Sequence, residues 1–128
     1  MKNEKSTFSV LFYLKKDKMK KNGLVPIHAR ITINGKQTQF NTKLEVLETN
    51  WKSGRAIGKS MEIQRLNSML DDIKANIRSH FHNQLMRDSY VTPESVKNAL
   101  LEKEEEALYN YQYNSLKKTQ NPASYAYL

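Results

Sequence analysis

Eleven residues in the first third of the chain are of types that recognise anions and hydrogen-bonding edges: Tyr13, Lys15, Lys16, Lys20, His28, Arg30, Thr32, Gln37, Gln39, Asn41 and Lys43. Arginine offers a rigid fork of donors, asparagine and glutamine set a donor beside an acceptor, and lysine supplies a point charge. Side chains of this kind pair bidentately with base edges, Arg with guanine and Asn or Gln with adenine, while lysines and hydroxyls hold phosphates. Their spacing is as informative as their types. His28, Arg30 and Thr32 recur at every second position, as do Gln37, Gln39, Asn41 and Lys43, and on extended strands that period gathers them on one face. With Ser9, Leu11, Tyr13 and Lys15 they make a face in which no acid occurs. The plainer alternative is that any antiparallel sheet with one wetted face is polar there.

Charge distribution separates the two readings. Met1 to Ser60 holds thirteen Lys and Arg against four acids, a balance of +9, whereas Met61 to Leu128 holds eight against nine, a balance of −1. The whole excess of the +8 chain therefore sits in the half that carries the alternating polar face. One-sided basicity of this kind fits a surface that meets phosphates, and an anionic membrane surface would attract it too.

The elements that must position these residues follow from hydrophobic period. Thr7 to Lys15 alternates, with Phe8, Val10, Phe12 and Leu14 on the side opposite Ser9, Leu11 and Tyr13. Leu24 to Ile33 alternates again, with Val25, Ile27, Ala29, Ile31 and Ile33 inward. Pro26 cannot donate to a ladder, so regular pairing is expected to begin after it or to pass a bulge there. Asn34-Gly35 predicts a two-residue type I′ turn, because both residues tolerate positive φ. Lys36 to Leu44 then returns antiparallel, with Thr38, Phe40, Thr42 and Leu44 inward. The lysine-rich link Asp17 to Gly23 reads as an exposed, flexible hairpin loop, and Glu45 to Lys59 as an ordered loop pinned by Trp51.

From Ser60 to about Arg87, Leu66, Met69, Leu70, Ile73, Ile77, Phe81 and Leu85 draw one stripe along a helix. Three strands bury only one face, so this helix is expected to pack across Val10, Phe12, Ile27, Ile31 and Phe40, with Ala29 allowing close approach. Thr92-Pro93-Glu94 announces a second helix to about Glu106: Thr92 caps, Pro93 suits the first turn and Glu94 complements the dipole. Tyr109 to Leu128 shows no apolar stripe and is expected to be disordered. The fold class is α+β: a three-stranded antiparallel sheet packed against a long helix, followed by a second helix. Residues 1–90 form the binding domain, 91–108 the second helix and the start of a linker, and 109–128 a tail.

Several chemistries find no footing. There is no cysteine, hence no disulfide or thiolate site, and no phosphate-binding glycine loop or nucleophile motif. His80 and His82 lie two apart, which on a helix points them in different directions, so a metal is not expected. The N-terminus lacks an apolar signal core and no run of about 18 apolar residues occurs, so neither secretion nor membrane spanning is expected. Phe8, Phe12, Phe40 and Trp51 are of types and placements that suit a core, leaving Tyr13 as the aromatic available for a base or sugar.

A collinear set of segments resembles a known family. Ser6-Thr7-Phe8 with Val10-Leu11-Phe12-Tyr13-Leu14-Lys15-Lys16, Lys21-Asn22-Gly23-Leu24-Val25-Pro26-Ile27 and Arg30-Ile31-Thr32-Ile33-Asn34-Gly35 come first. Phe40, Thr42-Lys43-Leu44-Glu45-Val46, Trp51, Gly54-Arg55-Ala56, Gly58-Lys59-Ser60, Leu70-Asp71-Asp72-Ile73, Tyr90-Val91-Thr92 and Val96-Lys97-Asn98-Ala99 follow in order. Together, over Ser6 to Leu101, they resemble the N-terminal arm-binding domain of Bacteroides-type tyrosine recombinases. The resemblance implies a module that holds arm-type DNA sites beside the crossover region, inserts its sheet into the major groove, and helps assemble the recombination complex. The family's core-binding helices and catalytic domain have no counterpart after Leu101, so the tail tyrosines are not read as nucleophiles and no catalysis is expected. Double-stranded DNA and further recombinase subunits are the implied partners, in a cytoplasmic, nucleoid-associated setting. No cofactor, small-molecule substrate or membrane is expected. A protein-interaction module docking through helices or tail, and a binder of structured RNA, stand as the alternatives.

Overall fold

The computed structural model describes residues 7–88 and 90–102. Strands β1 (Phe8–Leu14), β2 (Leu24–Ile33) and β3 (Lys36–Leu47) form an antiparallel sheet in the order β1-β2-β3. Asn34 (φ 50°) and Gly35 (φ 83°) close the β2–β3 turn in the left-handed region, as a type I′ hairpin demands of residues without bulk at Cβ. A short hairpin, β4 (Trp51–Lys52) and β5 (Arg55–Ala56), precedes the helix α1 (Met61–Arg87). Residues 93–102 form a second helix, α2, and the sequence expectations for Lys103 to Leu128 lie outside the described residues.

Alternation places Phe12, Ile27, Ala29, Ile31, Ile33, Phe40 and Val46 on the inner face of the sheet, where they join Leu70, Ile77 and Phe81 of α1 in one core. Ile27, Ala29, Ile31 and Ile77 have no exposed surface at all. Burying each such branched side chain is worth about 1.5–3 kcal/mol, so this layer dominates the stability of the fold. Phe8 stacks on Phe81 with ring centroids 4.3 Å apart and planes 10° from parallel, closing the far end of the layer. Ser60 caps α1 through Oγ, which accepts from Ile63 N at 3.2 Å.

Four details differ from the sequence expectations. Pro26 is paired opposite Glu45, and the irregularity comes one step later, between Ile27 and His28. There β3 carries two extra residues: Asn41 faces His28 while Leu44 faces Ile27, and Lys43 adopts φ 68°. Asn41 Oδ1 accepts from Lys43 N at 2.7 Å and Thr42 Oγ1 donates to Ile27 O at 2.7 Å, so side chains take over the interrupted ladder. An insertion of two preserves strand parity, and β3 therefore continues to Leu47 with Val46 still inward.

The second difference is the hairpin in what reads as a loop. Its period is too short to register in a hydrophobic pattern, and its anchor is polar: Asn67 of α1 accepts from Ala56 N at 3.0 Å and donates to Ala56 O at 2.9 Å, completing the edge of β5 as another strand would. Arg55 pairs with Asp71 at 2.9 Å, and this bond holds the Asp71 carboxyl below its ordinary range. The pair is exposed and adds little to stability.

Third, Met69 and Leu85, counted in the helical stripe, are 40% and 39% exposed, while Gln84 is buried. The stripe turns because the end of α1 packs on α2. Gln84 Oε1 accepts from Ser95 Oγ at 2.7 Å and Gln84 Nε2 donates to Ser95 O at 3.1 Å, alongside Val91, Val96 and Leu100. Ser95 also completes a reciprocal cap with Thr92: Ser95 N donates to Thr92 Oγ1 at 3.0 Å and Thr92 N to Ser95 Oγ at 3.2 Å.

Fourth, the lysine-rich link is exposed but not featureless. Lys16–Lys18 makes a 3₁₀ turn, Lys20 N donates to Leu24 O and Gly23 N to Lys20 O, each at 2.9 Å.

Two outcomes test this layering in denaturant melts. Ile31→Ala should cost about 2–5 kcal/mol by emptying a site between sheet and helix, whereas Gln39→Ala on the opposite face should cost far less. Equal, small effects would reverse the strand parity. Ser95→Ala should cost about 1–3 kcal/mol, because it leaves the buried Gln84 Oε1 without its donor and opens the α2 cap. In a double-mutant cycle with Gln84→Ala the two losses should be non-additive.

Candidate nucleic-acid interface

The face of the sheet turned away from α1 is organised in three cross-strand rows. Ser9, Thr32 and Gln37 form one, Leu11, Arg30 and Gln39 the next, and Tyr13, His28 and Asn41 the third. Directly opposed residues in such rows have Cβ atoms about 4.5–5.5 Å apart, so nine side chains from three strands occupy one continuous patch. Its residues are half-buried or exposed, in contrast to the inner rows.

The centre of the patch is ordered by side chains. The Tyr13 ring lies beside the middle strand, with the Arg30 guanidinium carbon 4.8 Å from its centroid and the His28 ring 5.9 Å away. Tyr13 Oη donates to Gln39 Oε1 at 2.5 Å, linking the outer strands across β2. Desolvation, reinforced by Lys15 and opposed by Asp17, pulls His28 below its ordinary pKa, so at neutral pH it presents a neutral imidazole.

The remaining predicted site residues are placed less uniformly. Asn41 stands in the third row, yet its Oδ1 is turned back onto Lys43 N, leaving its amide nitrogen as the group available to a ligand. Lys43, in the bulge, is exposed at the rim. Lys15 follows β1 and its Nζ lies 3.9 Å from Asp17 Oδ1. Lys16 pairs with Glu48 at 2.9 Å and Lys20 pairs with Glu45. These two acids follow the bulge in β3, and only the folded pairing of β2 with β3 brings them beside the lysine loop. The nine residues of the three rows thus include no acid, but past the bulge Glu45, opposite Pro26 on the same face, and Glu48 bring acids to the lysine-loop edge. Exposed pairs of this kind are worth about 0–1 kcal/mol, so an incoming phosphate can take either lysine at small cost.

His82 is exposed on α1 with its ring 5.4 Å from that of Phe81, and among the described residues no group of three His, Cys, Asp or Glu is placed to hold a metal. No helix of the described residues is long and apolar enough to cross a membrane. Sequence reasoning missed the Tyr13 to Gln39 bond. The two residues are 26 apart in the chain and sit in different rows, and parity alone carries no signal for a diagonal contact.

No curated protein and no solved structure matches the chain. The family described as Arm DNA-binding domain matches residues 12–97, from the middle of β1 to the second turn of α2, which is 86 of the 128 residues. That span takes in most of the sheet, the whole of α1 and most of the patch just described. The chain belongs to the arm DNA-binding domain family.

Proposed function

We propose that the outer face of the sheet enters the major groove of duplex DNA and reads sequence there, at arm-type sites, as the N-terminal module of a site-specific recombinase. In this reading Arg30 and Gln39 contact base edges, with Tyr13, His28, Thr32, Gln37 and Asn41 around them, and Lys15, Lys16, Lys20 and Lys43 hold the backbone. The observation that carries it is the three-row patch itself: donor-rich, free of acids, and backed by a rigid core. Strands spaced about 4.8 Å apart set the outer backbones of a three-stranded sheet roughly 10 Å apart, commensurate with a major groove about 12 Å wide. The deep, narrow major groove of A-form RNA would not admit it, which favours DNA over structured RNA. Residues 1–90 carry recognition and 91–108 begin the connection to following parts, α2 entering the same core through Val96 and Leu100.

Docking of a protein partner draws support from a different feature. A groove of about 610 Å³ lies between the second half of β3 and the start of α1, lined by Leu44, Val46, Leu47, Ile63, Leu66 and Met69 among others. An electrophoretic shift with duplex DNA, with RNA as competitor, separates these readings. If about five phosphates are contacted, log affinity should fall against log salt with a slope of roughly −4.5, and a flat response would sink the electrostatic reading.

Single variants divide the surface further. Arg30→Ala and Gln39→Ala should each reduce the preference for cognate over random duplex by about 1–3 kcal/mol. Lys16→Ala and Lys20→Ala should weaken both duplexes alike and make the salt slope shallower by about one unit. Intact discrimination in the first pair would move recognition off the sheet, to the hairpin around Trp51 or to α1.

A further inference from the structure

The contacts at the centre of the patch restrict what each side chain can offer a base. Gln39 has one acceptor oxygen, and that oxygen is turned to the Tyr13 hydroxyl, which donates to it. The outward part of the carboxamide is therefore its NH₂ group. Arg30 is restricted in the same direction. Its Nε is covered and meets no acceptor among the described residues, and its guanidinium rests against the Tyr13 ring, so the terminal amines are the outward donors. The third member of the row, Leu11, is 47% exposed and brings no acceptor. The middle row thus turns donors outward, its one side-chain acceptor oxygen being directed at the Tyr13 hydroxyl.

Base edges differ in just this respect. Guanine shows two acceptors, N7 and O6, in the major groove, whereas adenine shows an acceptor beside a donor and needs a carboxamide that presents oxygen and nitrogen together. A glutamine free to rotate suits adenine. One whose oxygen is held by a neighbour suits an edge that shows acceptors alone, guanine with N7 and O6 ahead of thymine with a single O4 beside its methyl group.

We propose that Tyr13 is a positioning residue that commits Gln39 to donor-only readout, so that Arg30 and Gln39 together select two guanines at neighbouring base steps. This rests on the reading of the outer face as the base-reading one, and it adds the class of base and the residue that sets it. Tyr13 itself need touch no base: its hydroxyl aims Gln39, and its ring supports Arg30.

Enrichment of bound sites from a randomised duplex library, performed with the full chain and with variants, tests the assignment. The unaltered chain should enrich a motif containing two neighbouring guanines. Tyr13→Phe keeps the ring and removes the hydroxyl; it should melt like the parent, retain the guanine read by Arg30, and admit adenine at the other step with about a tenfold loss of preference. Tyr13→Leu should relax both steps. Gln39→Ala should relax the same single step as Tyr13→Phe, which keeps the test decisive even if an altered Tyr13 disturbs packing. A motif with adenine at the Gln39 step, an unchanged motif in Tyr13→Phe, or a loss at a different step in Gln39→Ala overturns the proposal while leaving base reading by this face intact. No enriched motif from the unaltered chain, despite binding to random duplex, overturns the base-reading face and the proposal with it.

Discussion

Burial of Ile27, Ala29 and Ile31 beneath Leu70, Ile77 and Phe81 settles which way every side chain of the sheet points. In a strand the side-chain period is two, so a slip of one residue would send Ile31 to water and Arg30 into the core. The cost of that exchange is the desolvation of a guanidinium added to the loss of a fully buried isoleucine, and it protects the outer rows from rearrangement. The outer face is thus specified from behind. Arg30, Gln39 and Tyr13 face outward because their neighbours in sequence are held inward.

The bulge in β3 follows from the same constraint. Two residues inserted opposite Ile27 and His28 leave the parity of Val46 and Leu44 unchanged, whereas one would have expelled them. The insertion instead alters what lies at the rim. It turns Asn41 toward the backbone, lifts Lys43 into a left-handed conformation, and leads β3 toward the lysine loop, where Glu45 and Glu48 meet Lys20 and Lys16. The same feature that completes the core tempers the charge at one edge of the patch, leaving Arg30 at its centre.

The three strands, the Asn34-Gly35 turn, the cap at Thr92 and the long helix were legible in the sequence because each follows from a local period or a single residue's local preference, whereas the Ser60 cap is seen only in the structure. So was the membership of the outer face, since parity needs no tertiary information. What escaped depends on contacts between distant residues. The hairpin at Trp51–Lys52 and Arg55–Ala56 is held by Asn67, eleven residues beyond Ala56. Gln84 interrupts the apolar stripe because Ser95 satisfies its carboxamide, and Leu85 was counted inward because it keeps the helical spacing. The pairing of Lys16 and Lys20 with acids from β3, and the diagonal bond from Tyr13 to Gln39, likewise exist only once the strands are assembled.

In the proposed binding mode the sheet, and not the helix behind it, meets DNA. Amide and side-chain NMR signals followed while a duplex is titrated into the ¹⁵N-labelled chain test it most directly. The largest shifts should fall on the outer rows, including the carboxamide NH₂ signals of Gln37, Gln39 and Asn41 and the guanidinium of Arg30, with the exposed side of α1 around Lys74 and Arg78 unmoved. Shifts centred on α1, or on the groove beside Ile63 and Leu47, with the outer rows unchanged, would contradict it.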